Sequence, residues 1–446
     1  MERMSRATST HHACAGDIRF PYASWRSSAA LIAMVLSLMI TVPARAAGPA
    51  ALVKDITAAV NPSLDSSPKD IVAIGNVIYF TADDGSTGRE LWRSDGTPIG
   101  TLRITDIVPG PNDASPADLT AVGTTLFFTA DDGIGGKELW KSDGTPAGTM
   151  RVADINIGPA DSAPANLTAI GTTLFFTADN GIIGEELWKS STTALSPTLV
   201  ADLNAGPDSS SPSELTNVSG TLFFAAKTAA MGEELWKSST VALSPTLVAD
   251  LIAGPDDSAP ANLTAVGSTL FFTAKTAATG EELWKSTPTT LGATLVADIV
   301  LGPGDSSISH LTAVPGTLFF TAKTAAAGEE LWKSTPTMLG ATLITDINPG
   351  PSDSSPSELT DVNGVLLFTA STPSFGQEAW RSDGTLAGTN LIQDLAPFTA
   401  GSSPSSFTSA GAYVFFSAND GSTGQELWAA PLTAFPRLVY LPMVQR

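Results

Sequence analysis

The apolar positions recur in short bursts rather than in helical stripes. In the segment around Trp140, Ala117-Asp118-Leu119-Thr120-Ala121-Val122 predicts a first strand, and Gly123-Thr124 a tight turn. Leu126 to Ala130 predicts a second strand, Lys137 to Ser142 a third and Thr149 to Ile155 a fourth. A polar loop from Asp131 to Gly136 separates the second and third, and Asp143-Gly144-Thr145 opens the turn before the fourth. A sheet with one wet face alternates apolar and polar residues. The runs LFF and ELW instead place apolar groups on both faces, as a sheet packed between two others requires.

The same unit recurs along the chain. Trp92, Trp140, Trp188, Trp236, Trp284, Trp332, Trp380 and Trp428 are spaced by 48 residues throughout, each in a frame close to ELWKS. Four short antiparallel strands per 48 residues describe one propeller blade. The expected fold is therefore all-β, an eight-bladed β-propeller over residues 47–434. A solenoid is the competing architecture. It needs distinct end caps, whereas both end units here are ordinary ones.

The ends of the chain differ from the repeats. Residues 1–46 carry Arg3, Arg6, Arg19 and Arg26, then an apolar run from Ala29 to Val42, then Ala44-Arg45-Ala46. This order predicts a cleaved signal peptide and a secreted or cell-surface product. A membrane anchor is the rival reading, but 14 apolar residues are short for a span. Residues 435–446 read as a C-terminal tail. Removing residues 1–46 takes away Cys14, His11 and His12, so disulfides are excluded and His310 is the one histidine left. It also removes five of the 23 basic and two of the 44 acidic residues, leaving a net charge of −24. That balance argues against nucleic acid and favours cationic partners or divalent metals.

Glu90 to Thr101, ELWRSDGTPIGT, resembles the signature of the bacterial ELWxxDGT repeat family, and Lys141 to Thr149 and Arg381 to Thr389 repeat its second half. The resemblance implies a secreted bacterial repeat protein and carries no activity. Four central units replace the Asp-Gly turn with SSTTALSPT, SSTVALSPT, STPTTLGAT and STPTMLGAT. More distantly, Ala82 to Trp92 and Ala418 to Trp428 resemble the tryptophan-docking motif of eight-bladed quinoproteins. That likeness implies a tryptophan girdle and no quinone chemistry, since the adjacent-cysteine pair typical of the alcohol dehydrogenases is missing.

Candidate chemistry is sparse. The tryptophans read as core rather than as sugar platforms. The glutamate two residues before each of them, Glu90 to Glu426, reads as a local pair with a neighbouring blade or with the Lys or Arg after Trp. His310 reads as a lone exposed histidine. The loops between blades carry oxygen ligands suited to calcium: Asp154, Asn156 and Asp161; Asp202, Asn204 and Asp208, one residue short of the usual spacing; and Asp346, Asn348 and Asp353. The same residues also suit ordinary turns, and no other cofactor is expected. The sequence contains no serine–histidine–acid set, zinc cluster or phosphate-cradling loop.

The resulting expectation is a secreted, monomeric, non-catalytic binding or scaffold protein with a protein or glycan ligand on an acidic face. An extracellular enzyme, polysaccharide-active or a degenerate quinoprotein, is the alternative. Two segments compete to complete the last blade: Leu52 to Ile56, closing the ring from the N-terminus, and Arg437 to Pro442, completing it in cis.

Overall fold

The computed structural model describes residues 52–57, 60, 64–194, 196–242, 244–396, 399–410, 413–422 and 424–432. The expected signal peptide, the tail and Arg437 to Pro442 lie outside them. The chain is an eight-bladed β-propeller. Its strands form eight antiparallel sheets, seven of four strands and one, the last, of three among the described residues. Blade two consists of Ala117–Val122, Thr125–Asp131, Lys137–Ser142 and Met150–Arg151. Blade eight consists of Ser405–Ala410, Tyr413–Asn419 and Gln425–Pro431. The first strands of successive blades pack side by side from blade one to blade eight, which makes them the inner strands.

The LFF pattern now has a cause. Phe127 faces blade three and packs with Val122, Leu139, Val152 and Ile155 against Leu174, Phe176 and Ala178. Phe128 faces the other way, into a cluster with Tyr79 and Leu91 of blade one. Each of these rings is fully buried, a gain of about 1.5–3 kcal/mol apiece. The tryptophans join the same clusters. Trp140 and Trp236 are each 8% exposed, and each tryptophan packs toward the preceding blade. The Trp140 indole N–H donates to the Ala130 carbonyl at 3.1 Å, and Trp92 and Trp236 repeat the bond.

The fourth strand is shorter than its pattern predicts. In blade two it spans only Met150–Arg151. Val152 still donates to the Leu139 carbonyl at 2.8 Å, but the backbone then leaves the sheet. It does so because the following amides are used elsewhere, by the glutamate described below. Leu52 to Ile56 forms no strand.

Candidate functional site

In the first seven blades the glutamate two residues before Trp is not a surface residue. Glu90, Glu138, Glu186, Glu234, Glu282, Glu330 and Glu378 are completely buried. They also do not pair with the neighbouring Lys or Arg, in contrast to the expectation from sequence. Glu138 Oε2 accepts the Ile155 amide at 3.0 Å and the Ser162 hydroxyl at 2.7 Å, and Oε1 accepts the Ser162 amide at 3.2 Å. The loop that leaves the blade is thus bolted back onto it. Burial pushes the Glu138, Glu186, Glu234, Glu282 and Glu330 carboxyls up, against the lowering effect of these hydrogen bonds.

Blade one departs from this arrangement. Ala114 occupies the place of the serine, so Glu90 Oε2 keeps the Ile107 amide at 3.1 Å but lacks the hydroxyl that Ser162 gives to Glu138 Oε2, and its buried Oε1 has no hydrogen-bond partner. Burial pushes Glu90 up to about 7, with the Val108 amide as a weaker electrostatic counterweight. The Lys or Arg after Trp has a separate task. Lys237 Nζ donates to the Pro288 and Thr290 carbonyls of the next blade at 2.9 and 2.7 Å. Lys285 repeats this with Pro336 and Met338.

Of the loop residues singled out for calcium, Asn156, Asp161, Asn204, Asn348 and Asp353 are engaged with the backbone, whereas Asp154, Asp202 and Asp346 each keep a buried Oδ1 without a hydrogen-bond partner. Asp161 Oδ1 accepts the Lys137 amide at 2.7 Å, and Asn156 donates to the Asp161 carbonyl at 3.0 Å. Asp353 accepts the Glu329 amide and pairs with Lys323 at 2.8 Å, and Asn348 donates to the Asp353 carbonyl. Asp154 lies 3.6 Å from Arg151. Asp202 and Asp346 accept the Gly206 and Gly350 amides. Asn204 accepts the Ala229 amide of the next blade. In the third unit Ser209, rather than Asp208, takes the position of the second aspartate and accepts the Glu185 amide at 2.9 Å. Gly136 explains the tight fit: at φ 69° it admits the Ala160 backbone to 2.7 Å from where a Cβ would stand. Among the described residues no three His, Cys, Asp or Glu side chains gather as a metal site.

A different position is exposed in every blade. The second residue of each inner strand is Asp70, Asp118, Asn166, Glu214, Asn262, His310, Glu358 or Ser406, at φ between 55° and 60°. A bulge sits there in each blade, as between Ala117 and Thr120 in blade two, and bulges re-aim side chains. Left-handed backbone is uncommon for residues other than glycine, so eight repetitions mark a feature held by the fold. Asp70, Asp118, Asn166 and Glu214 line a cleft of about 680 Å³ on the inner strands of blades one to four. Glu214 accepts the Leu263 amide at 3.1 Å, Glu358 the Ser406 amide at 2.9 Å, and Asp118 lies 3.8 Å from Lys137. His310 is exposed, with Nδ1 3.0 Å from the Ser309 hydroxyl. Sequence reading took His310 as a lone exposed histidine and missed its place on an inner strand, because the bulge leaves no trace in the alternation.

The acidity of the loops is also uneven. Lys227, Lys275 and Lys323 stand near the ends of the second strands of blades four to six, just before the loops to the third strands, where blades one to three carry Asp83, Asp131 and Asp179. Lys227 pairs with Asp257 at 3.0 Å.

No protein-family model and no curated protein matches this chain. Among solved structures, one from a study of two prolyl endopeptidases is 10% identical, with a TM-score of 0.44 over 80% of this chain and 55% of that one. A puromycin hydrolase mutant is 14% identical, TM-score 0.37, over 83% and 60%. The β-propeller domain of the Trilobed protease from Pyrococcus furiosus is 8% identical, TM-score 0.37, over 74% and 99%. The chain thus spans 55% and 60% of the first two. At such identities the likeness is one of fold.

Proposed function

We propose that this propeller is a secreted, non-catalytic binding module of the ELWxxDGT type that holds a protein or glycan ligand at the inner-strand ring. One observation carries the reading. Core positions repeat almost verbatim from blade to blade, whereas the exposed residue at the inner-strand bulge changes from Asp to Asn, Glu, His and Ser while remaining polar. Pure scaffolding places no such demand on one position. A ligand spanning several blades meets a different hydrogen-bonding group on each, and the carboxylates of Asp70, Asp118, Glu214 and Glu358 favour cationic groups. The test is an array of glycans and extracellular proteins probed with the mature chain and with a variant carrying Asp70→Ala, Asp118→Ala, Glu214→Ala and Glu358→Ala. Hits should vanish in the variant while its melting temperature changes little. Hits retained at full strength would move the binding surface elsewhere.

A further inference from the structure

We propose that the chain's own N-terminal segment supplies the missing eighth junction, with Glu426 of blade eight bolted to Ile56 and Ser66. The loop after each blade works in two directions. Backward, it gives an amide and a serine to the buried glutamate of the blade it leaves, as Ile155 and Ser162 do for Glu138. Forward, its apolar residue packs on the next blade and its serine carbonyl accepts an amide there, as Ser162 does from Asp179 at 2.9 Å.

The segment ahead of blade one already makes the forward half. Ile56 packs on Phe80, Ala82 and Trp92, and the Ser66 carbonyl accepts the Asp83 amide at 3.0 Å. Its backward half is unused: Ser66 is only half-buried, whereas Ser162, Ser210 and Ser258 are 0% exposed. Blade eight shows the complementary deficit. Glu426 is exposed, and Leu427 is 74% exposed where Leu91, Leu139 and Leu187 are 0%. The sequence closes the count. Each serine from Ser162 to Ser402 follows its glutamate by 24 residues, and Ser66 has none there. Six junctions built to one pattern, and a seventh with Ala114 in the serine's place, leave over the exposed Glu426 and the half-buried Ser66.

The same contacts made between molecules would be heterologous and would propagate into chains rather than close. Tethering within one chain favours closure through effective concentration.

Hydrogen exchange on the mature protein tests this. The Ile56 and Ser66 amides should be protected in the parent. Ser66→Ala and Glu426→Gln should each speed their exchange roughly tenfold, and the double variant should add little to either. Glu426→Gln keeps the shape and an acceptor, so it reports the bolt rather than misfolding. Unprotected Ile56 and Ser66 amides in the parent, or exchange unaltered by both variants, would overturn the proposal. So would protection that disappears on hundredfold dilution, since a second copy would then be the partner.

Discussion

Ala114→Ser should stabilise the protein, and more so in alkali than in acid. Ala114 is fully buried, and its carbonyl accepts the Asp131 amide at 3.0 Å, as the Ser162 carbonyl accepts Asp179 at 2.9 Å. The backbone is therefore already in the serine geometry. The added hydroxyl would stand beside Glu90 Oε2, as the Ser162 hydroxyl stands beside Glu138 Oε2, and would give a second partner to a carboxylate whose Oε1 is buried and unpaired. A hydrogen bond to a charged group contributes about 1.5–3 kcal/mol, and one to a neutral group about 0.5–1.5 kcal/mol. Glu90 titrates near 7 in the fold and at 4.5 in the free chain. The native state thus holds the extra proton between these values, and Glu90 costs stability progressively as pH rises from 4.5 to 7. At pH 8 the carboxylate is ionised and the serine should return about 2 kcal/mol. At pH 5 it is protonated and the gain should fall to about 1 kcal/mol or less. Urea unfolding of both proteins at the two pH values measures the difference, read from the midpoint at unchanged slope. An Ala114→Ser variant no more stable than its parent at pH 8 would refute the serine hydroxyl as a stabilising partner of the buried carboxylate.

Other perturbations follow from the same junctions. Trp236→Ala should cost about 3–5 kcal/mol through the cavity it opens between blades three and four; a melting temperature within a degree of the parent would return the tryptophans to the surface. Glu234→Ala strands the Leu251 amide and leaves the Ser258 amide and hydroxyl only the Glu233 carbonyl, and should cost about 2–4 kcal/mol, a loss denaturant titration would detect easily. Lys237→Met, which removes two bonds to the next blade, should cost about 1–2 kcal/mol, so a neutral result would demote it to a solvated side chain. Calcium held by Asp154, Asn156 and Asp161 would make melting sensitive to chelator; with Asp161 and Asn156 already bonded to the backbone, we expect an unchanged curve with EDTA, and a fall restored by calcium would assign the loops a metal.

Much of the fold was legible because a 48-residue period fixes the number of blades, and two-sided apolar runs fix what a blade must pack against. The boundaries Ala117–Val122 and Lys137–Ser142 follow directly from that pattern. The fourth strand was overextended because its apolar residues are those of a strand, while its amides are diverted to Glu138, 17 residues earlier. The glutamates themselves were misjudged for a related reason. An acid beside Lys or Arg in sequence reads as a surface pair, yet successive strand residues point to opposite faces, so Glu234 turns inward while Lys237 reaches the next blade. The inner-strand ring was hidden more deeply. Only the bulge at Asp118 and its equivalents brings these side chains to one rim, and a bulge depends on pairing with the next strand.

The account rests on eight equivalent junctions, the last made by the two ends of the chain. Averaged electron-microscope images of the monomeric mature protein, viewed along the axis, test this most directly. The account predicts an unbroken ring of eight blades, and a gap between blades one and eight when residues 47–58 are deleted. An open crescent in the intact chain, or a ring unaffected by that deletion, would contradict it.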